Sequence, residues 1–233
     1  GIRVDAMLIG KASNLNNKRW ILQSNGNGDF YENVFYREGI KLANALDANI
    51  LVYNYPGVGA SRWFPTRDSL VKSYRAMLAL LEEEIEAKEI IAYGISVGGA
   101  VQGEAVHQHL LKKDVKYVFI KDRTFSELWL VLWDFLMPFA YLLIKGLYWN
   151  INSALYSKEL DAPEIIMQTV DDNDEAAHDG VISKKASHLY AFEQDEEFRK
   201  NPKKTFIKLI EGHNDPLMDR NLRLLIKKIK EYL

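Results

Sequence analysis

Short apolar runs alternate along this chain with longer stretches of mixed polarity. Runs of four to seven residues, most of them rich in Val, Ile, Leu, Tyr or Phe, predict strands at 4–9, 19–23, 50–53, 89–93, 116–120, 164–170 and 205–209. The stretches between them predict helices at 31–46, 67–87, 97–111, 125–148, 184–197 and 215–232. In the second helix Leu70, Tyr74, Met77, Leu78 and Leu81 recur at helical spacing, and Thr66 or Asp68 stands where it could cap the start. Strands alternating with helices imply an α/β architecture: a mostly parallel central sheet with helices on both faces and right-handed crossovers. No Gly/Ser/Pro-rich linker or internal repeat divides the chain, so residues 1–233 are expected to form one domain.

One segment departs from the alternation. Residues 128–144 read LWLVLWDFLMPFAYLLI, interrupted only by Asp134 and Pro138. The length is close to the minimum for a bilayer span, but a central Asp and a Pro both count against one. A buried or lid-like helix within about 125–152, kinked near Pro138, is the simpler expectation. Next comes the wall of an apolar pocket, with Trp129, Trp133, Phe135, Phe139, Tyr148 and Trp149 as candidate lining residues. A surface that touches lipid is the third reading.

Composition removes several kinds of chemistry. There is no cysteine, which excludes disulfides, zinc-thiolate sites, iron–sulfur clusters and a thiol nucleophile. Lys plus Arg is 30 against 32 Asp plus Glu, a balance unlike the basic surface of a nucleic-acid-binding protein. The opening GIRVDAMLIG has no basic region followed by a long apolar one, so no signal peptide is expected.

The segment 90–100, IIAYGISVGGA, carries the sharpest chemical signal. It sets Gly94-x-Ser96-x-Gly98 between a predicted strand and a predicted helix, the context a nucleophile elbow requires. Small residues two before and two after the serine allow the tight turn, and the helix start beneath it favours a developing oxyanion. The blander reading is a serine N-cap on an ordinary strand-to-helix turn. Two other stretches fall in the matching order. Ser24-Asn25-Gly26-Asn27-Gly28 follows an earlier strand, where the Asn27 N–H could complete an oxyanion hole with that of Val97. Gly212-His213-Asn214-Asp215 follows the last strand, and His213 is the candidate general base. His107, His109, His178 and His188 are read as solvated or capping residues.

The acid should follow the strand at 164–170, where the loop DDNDEAAHDGVIS offers several carboxylates. Asp179 is favoured because Val181 and Ile182 return the chain to the core just after it. Asp174 and then Asp172 lie nearer the strand end but lack that anchor. The loop does not follow the spacing of a calcium loop, and neither a metal nor a cofactor is expected.

At these residues the sequence resembles the α/β-hydrolase superfamily, and the resemblance extends over nearly the whole chain. It takes in the 25–28 turn, the loop 53–61 (YNYPGVGAS), the elbow, Asp122-Arg123-Thr124-Phe125-Ser126, Asp179-Gly180-Val181-Ile182 and Gly212-His213-Asn214-Asp215. YNYPGVGAS together with YGISVGGAVQGEA is similar to an uncharacterised family of intracellular bacteria of the Chlamydia and Legionella type, some members of which are secreted effectors. The superfamily often has His before the nucleophile, where this chain has Ile95, and His-Gly at the oxyanion turn, where it has Asn25-Gly26. Its first strands are expected to be short or absent here.

The resemblance implies a serine hydrolase with a Ser96–Asp179–His213 triad, acting on a small-molecule acyl ester or lipid. It also implies a protein of the bacterial cytoplasm, or one secreted into a host cell. The rival reading is a hydrolase-shaped protein with little turnover that engages a host protein or a membrane surface.

Overall fold

A computed structural model describes residues 1–11, 13, 16–33, 37–136, 149–193 and 195–233. All seven predicted strands are present: β1 (Ala6–Ile9), β2 (Arg19–Ser24), β3 (Asn49–Tyr53), β4 (Glu89–Ile95), β5 (Lys116–Asp122), β6 (Glu164–Thr169) and β7 (Lys204–Leu209). They form one sheet in the order β1-β3-β2-β4-β5-β6-β7. β1 runs antiparallel to β3 and the other pairs are parallel. Register brings Ser24 beside Gly94, Ile95 beside Asp122 and Thr169 beside Leu209, so the strands finish along a common carboxyl edge. Loops leaving that edge are where open α/β sheets gather their ligand-binding groups.

Strand residues pack alternately to the two faces. Ile21, Ile50, Ile91, Tyr93, Val118 and Ile120 join Leu42 and Leu46 of α1 (Arg37–Leu46) and Leu225 and Ile229 of the last helix, Asp219–Tyr232. Trp20, Leu22, Leu51, Ile90 and Ala92 join Leu70, Tyr74 and Leu78 of α2 (Arg67–Ala79) and Ala100, Val101 and Ala105 of α3 (Val97–His107). Both faces are therefore covered, as strands with consecutive apolar residues require. Thr66, not Asp68, caps α2, in a reciprocal box with Ser69.

Helix boundaries depart from the predicted ones where side chains compete for the backbone. The predicted 67–87 helix closes earlier, through a π-helical turn at Leu80–Glu84 and a positive φ at Glu86. The predicted 184–197 helix is three short turns: Lys184–Ala186, α6 (His188–Phe192) and α7 (Glu196–Lys200). Ser183, Ser187 and Asp195 each cap one of them, and each cap leaves helical geometry to do so. The final helix, α8 (Asp219–Tyr232), starts after 215 because Asp215 folds back to accept from the Gly212 N–H at 2.9 Å. α5 (Ser153–Glu159), capped by Asn152, is an unpredicted helix. In the apolar segment α4 covers Leu128–Leu136. The remainder, 137–148, with Pro138, Phe139 and Tyr148, lies outside the described residues, as do the side chains of 134–136. Among the described residues no helix is long and apolar enough to cross a membrane.

Candidate active site

Ser96 stands between the end of β4 and the start of α3 with φ 50° and ψ −117°, a strained conformation for a residue with a side chain. The surroundings hold it there. Its N–H donates to the Asp122 carbonyl at 2.9 Å across the sheet. A Cβ on Gly94 would lie 2.5 Å from the Gly99 Cα, and one on Gly98 would lie 2.3 Å from the Ser24 carbonyl oxygen. Those approaches demand glycine at both positions. The serine hydroxyl makes no capping bond to α3, so the N-cap reading fails. It meets His213 Nε2 instead, at 3.1 Å.

His213 leaves the end of β7, 117 positions along the chain from Ser96. Its Nδ1 lies 2.8 Å from Asp179 Oδ2, and its backbone N–H donates to the Asp179 carbonyl at 2.6 Å. An ionised carboxylate only accepts, so Nδ1 carries the hydrogen and Nε2 presents its lone pair to the Ser96 hydroxyl. Asp179 is fixed from its other side, where Oδ1 accepts from Val181 and Ile182 at 2.9 and 2.7 Å. Burial alone would push the Asp179 carboxyl up. The hydrogen bond and charge of His213, with the Ile182 and Val181 N–H groups, outweigh it and bring the group below the ordinary range.

Asp174 and Asp172 lie elsewhere. A bridge between Val170 and Ala176 closes residues 171–175 into an excursion of their own. There the exposed Asp174 carboxylate faces Lys208 at 3.4 Å, and Asp172 is exposed. The other histidines are engaged away from Ser96. His107 pairs with Glu159 at 3.0 Å, His109 with Glu82 at 2.8 Å, and His178 Nδ1 accepts from the Gly180 N–H. His188 corrects the solvated reading: it is fully buried, with Nδ1 donating to the Thr124 carbonyl at 2.9 Å.

Two cavities meet at Ser96, and Gly26, Asn27, Asp29 and Val181 line both. A polar one of about 460 Å³ runs past His213 to Tyr93, Asp122, Arg123 and Glu38. An apolar one of about 510 Å³ is walled by Tyr55, Phe125, Leu128, Leu132, Trp149 and Ile182 among others. Val97, the first residue of α3, lines the apolar one. Of the aromatic residues expected to form such a wall, Trp149 does. Trp133 is 46% exposed instead, with Trp129 packed edge-on against it at 6.3 Å.

A family model described as Chlamydia CHLPS protein (DUF818) matches residues 1–233. The chain belongs to that family. Several solved structures share its α/β-hydrolase fold. An esterase from Pyrococcus furiosus is 14% identical over 99% of this chain and 92% of its own, with a TM-score of 0.68. Est1E from Butyrivibrio proteoclasticus, solved with ferulic acid bound, is 15% identical over 100% and 94%, at 0.65. A lipase-esterase related protein from Clostridium acetobutylicum is 16% identical over 99% and 100%, at 0.59. A search of curated sequences finds no match.

The sequence signals gave no role to Arg123, which adopts φ 46° just after β5. Its guanidinium grips Asp122 through Nε at 2.8 Å and Nη2 at 3.1 Å. Nη1 donates to the carbonyls of Gly212 and Asp215 at 2.6 and 2.7 Å, on either side of His213. Tyr93 completes the cluster by donating to Asp122 Oδ2 at 2.6 Å. The Asp122-Arg123 segment carries part of the family resemblance, but nothing in it marks the clamp, because the acceptors that reach the loop of His213 are backbone carbonyls of any residue type.

Proposed function

We propose that this CHLPS protein is a serine hydrolase that cleaves acyl esters, including lipid-like ones, through a covalent acyl-enzyme. The reading is supported above all by the continuous hydrogen-bonded line Ser96–His213–Asp179 at the junction of the two cavities. Ser96 Oγ attacks the acyl carbonyl while His213 Nε2 takes its proton. The carbonyl oxygen becomes an oxyanion held by the N–H groups of Val97 and Asn27. As the C–O bond to the alcohol breaks, His213 returns the proton to the leaving oxygen, and Ser96 keeps the acyl group. Water, deprotonated by the same imidazole, then attacks the acyl carbon, releases the acid and restores the serine hydroxyl. Asp179 keeps the imidazole in the correct tautomer and stabilises its cationic form. The acyl chain fits the apolar cavity. The esterases of similar fold are consistent with this chemistry, and the residues above carry the proposal.

The test is labelling with a fluorophosphonate probe followed by mapping of the modified residue. Ser96 should be the labelled position. Ser96→Ala should abolish both labelling and hydrolysis of a short-chain p-nitrophenyl ester, a loss of at least about 10³-fold, with the melting temperature retained. Full activity in that variant would end the proposal.

A further inference from the structure

The two cavities on either side of Ser96 differ in chemistry, and His213 decides which end of an ester each receives. The proton that His213 Nε2 takes from Ser96 must go to the leaving oxygen, so that oxygen must come within reach of the imidazole. His213 lines the polar cavity and not the apolar one. The alcohol half of the ester therefore extends into the polar cavity, and the acyl half into the apolar one.

Charge accounting in the polar cavity then narrows the alcohol. Among the described residues that line the cavity, Arg123 is the one Lys or Arg, and Asp122 offsets it through two hydrogen bonds. Its remaining described contacts go to backbone carbonyls. Asp29 and Glu38 remain as carboxylates. Glu38 Oε1 pairs with Lys41 at 3.0 Å, while its Oε2 is buried without a hydrogen-bond partner. Asp215 also lines the cavity, with Oδ2 accepting from the Gly212 N–H. Asp29 is the carboxylate that lines both cavities and faces Gly26 beside Ser96. A Cβ built on Gly26 would lie 3.2 Å from Asp29 Oδ2 and 3.6 Å from the Ser96 Cβ. Among the described residues no Lys or Arg pairs with Asp29.

We propose that the leaving group of the substrate carries a positive charge, as a cationic amino alcohol does, and that Asp29 is the specificity-determining residue that selects it. The inference rests on the hydrolase reading above. A cation in the polar cavity supplies the counter-charge that Asp29 lacks and shares the field of Glu38 Oε2 behind it. The same field repels an anionic leaving group and gives a neutral one no advantage. Burial holds the Asp29 carboxyl above its ordinary range, against the opposing pull of the Gly26 N–H and the charge of His213. A carboxylate disfavoured in this way is the kind of group that gains most from a bound cation.

The experiment compares two esters of equal size and acyl chain, butyrylcholine and its uncharged carbon analogue 3,3-dimethylbutyl butyrate, with glycerol monobutyrate as a neutral polyol. The wild-type protein should favour the cationic ester in kcat/KM by about tenfold or more over both, and the preference should shrink as salt rises. Asp29→Asn should bring the ratio to within about threefold of unity, and Glu38→Gln should lower it by less. Equal rates for the matched pair in wild type, or a preference for the glycerol ester, overturns the inference while leaving the hydrolase standing, and needs no variant to fold. An unchanged ratio in a folded Asp29→Asn protein removes Asp29 from the role. Absence of turnover on all three esters together with absence of probe labelling at Ser96 is a different result, and it removes the hydrolase reading as well.

Discussion

Asp179 shows how a single carboxylate is singled out among five candidates in one loop. Two backbone N–H groups hold Oδ1, and His213 takes Oδ2. Asp179→Asn keeps the size of the side chain but can present an N–H where a lone pair is needed, which favours the wrong imidazole tautomer. We expect kcat to fall about 10³- to 10⁴-fold. Asp174→Asn and Asp172→Asn should leave the rate within about twofold, since a surface substitution away from the site changes little; steady-state hydrolysis of one ester by all three variants decides it. The place of Asp179 beside His213 was legible in the sequence because Val181 and Ile182 mark where the chain dives back to the core, and those are the residues whose N–H groups bind it. Asp29 was not legible. A lone acidic residue after a Gly-containing turn has no pattern around it, and its importance comes from cavities that only the fold creates.

At the scale of elements, the strands were easier to read than the helices. A strand buried on both faces carries a run of consecutive apolar residues, and the cores of β2 to β6 announce themselves that way even though polar residues such as Lys121 and Glu164 interrupt or flank the runs. Helix ends depend on which side chain wins a backbone hydrogen, as Ser187 and Asp195 do in breaking one predicted helix into pieces. The contact between β5 and the loop after β7 lay wholly outside pattern reading, yet it sets where His213 stands. Arg123→Lys keeps the charge and loses the fork that spans Asp122 and two carbonyls. It should lower kcat about tenfold or more and slow probe labelling by the same factor, with less change in KM. Arg123→Met leaves the fully buried Asp122 carboxylate with Tyr93 but without its cation, and should cost about 3 kcal/mol in urea unfolding.

Across the whole molecule, a second set of charges lies under the sheet edge, apart from the serine. Glu164 of β6 is flanked by Lys121 of β5 at 3.2 Å and Lys204 of β7 at 3.0 Å, all three side chains buried. Ser157 of α5 accepts from Lys121 at 2.6 Å and donates to Glu164 at 3.0 Å, tying helix to sheet. His188 is held near this cluster. Burial, then the charge of Lys121, lowers it to about 4 from 6.5, against the pull of the Thr124 carbonyl and Glu164. Above pH 6.5 the ring is neutral whether the chain is folded or not, and it adds nothing to the pH dependence. Below that the unfolded chain takes a proton that the folded one refuses, so stability falls as pH drops, by about 3 kcal/mol once pH reaches the folded value. Asp179 adds to the loss at lower pH, since its depressed carboxyl stabilises the fold only while ionised. Urea midpoints at pH 7 and pH 4.5 should show the drop, and His188→Gln should flatten it. A midpoint in the wild type that does not move over that range contradicts the burial of a neutral ring.

If Ser96 and His213 act together as proposed, the span between them also sets when a newly made chain can first act. Synthesis delivers the hydroxyl long before its partner, so under the proposed mechanism a ribosome-bound chain would be chemically silent until β7 has emerged and zipped onto β6. Peeling that one outer strand away again would silence the finished protein just as surely, with most of its core still in place.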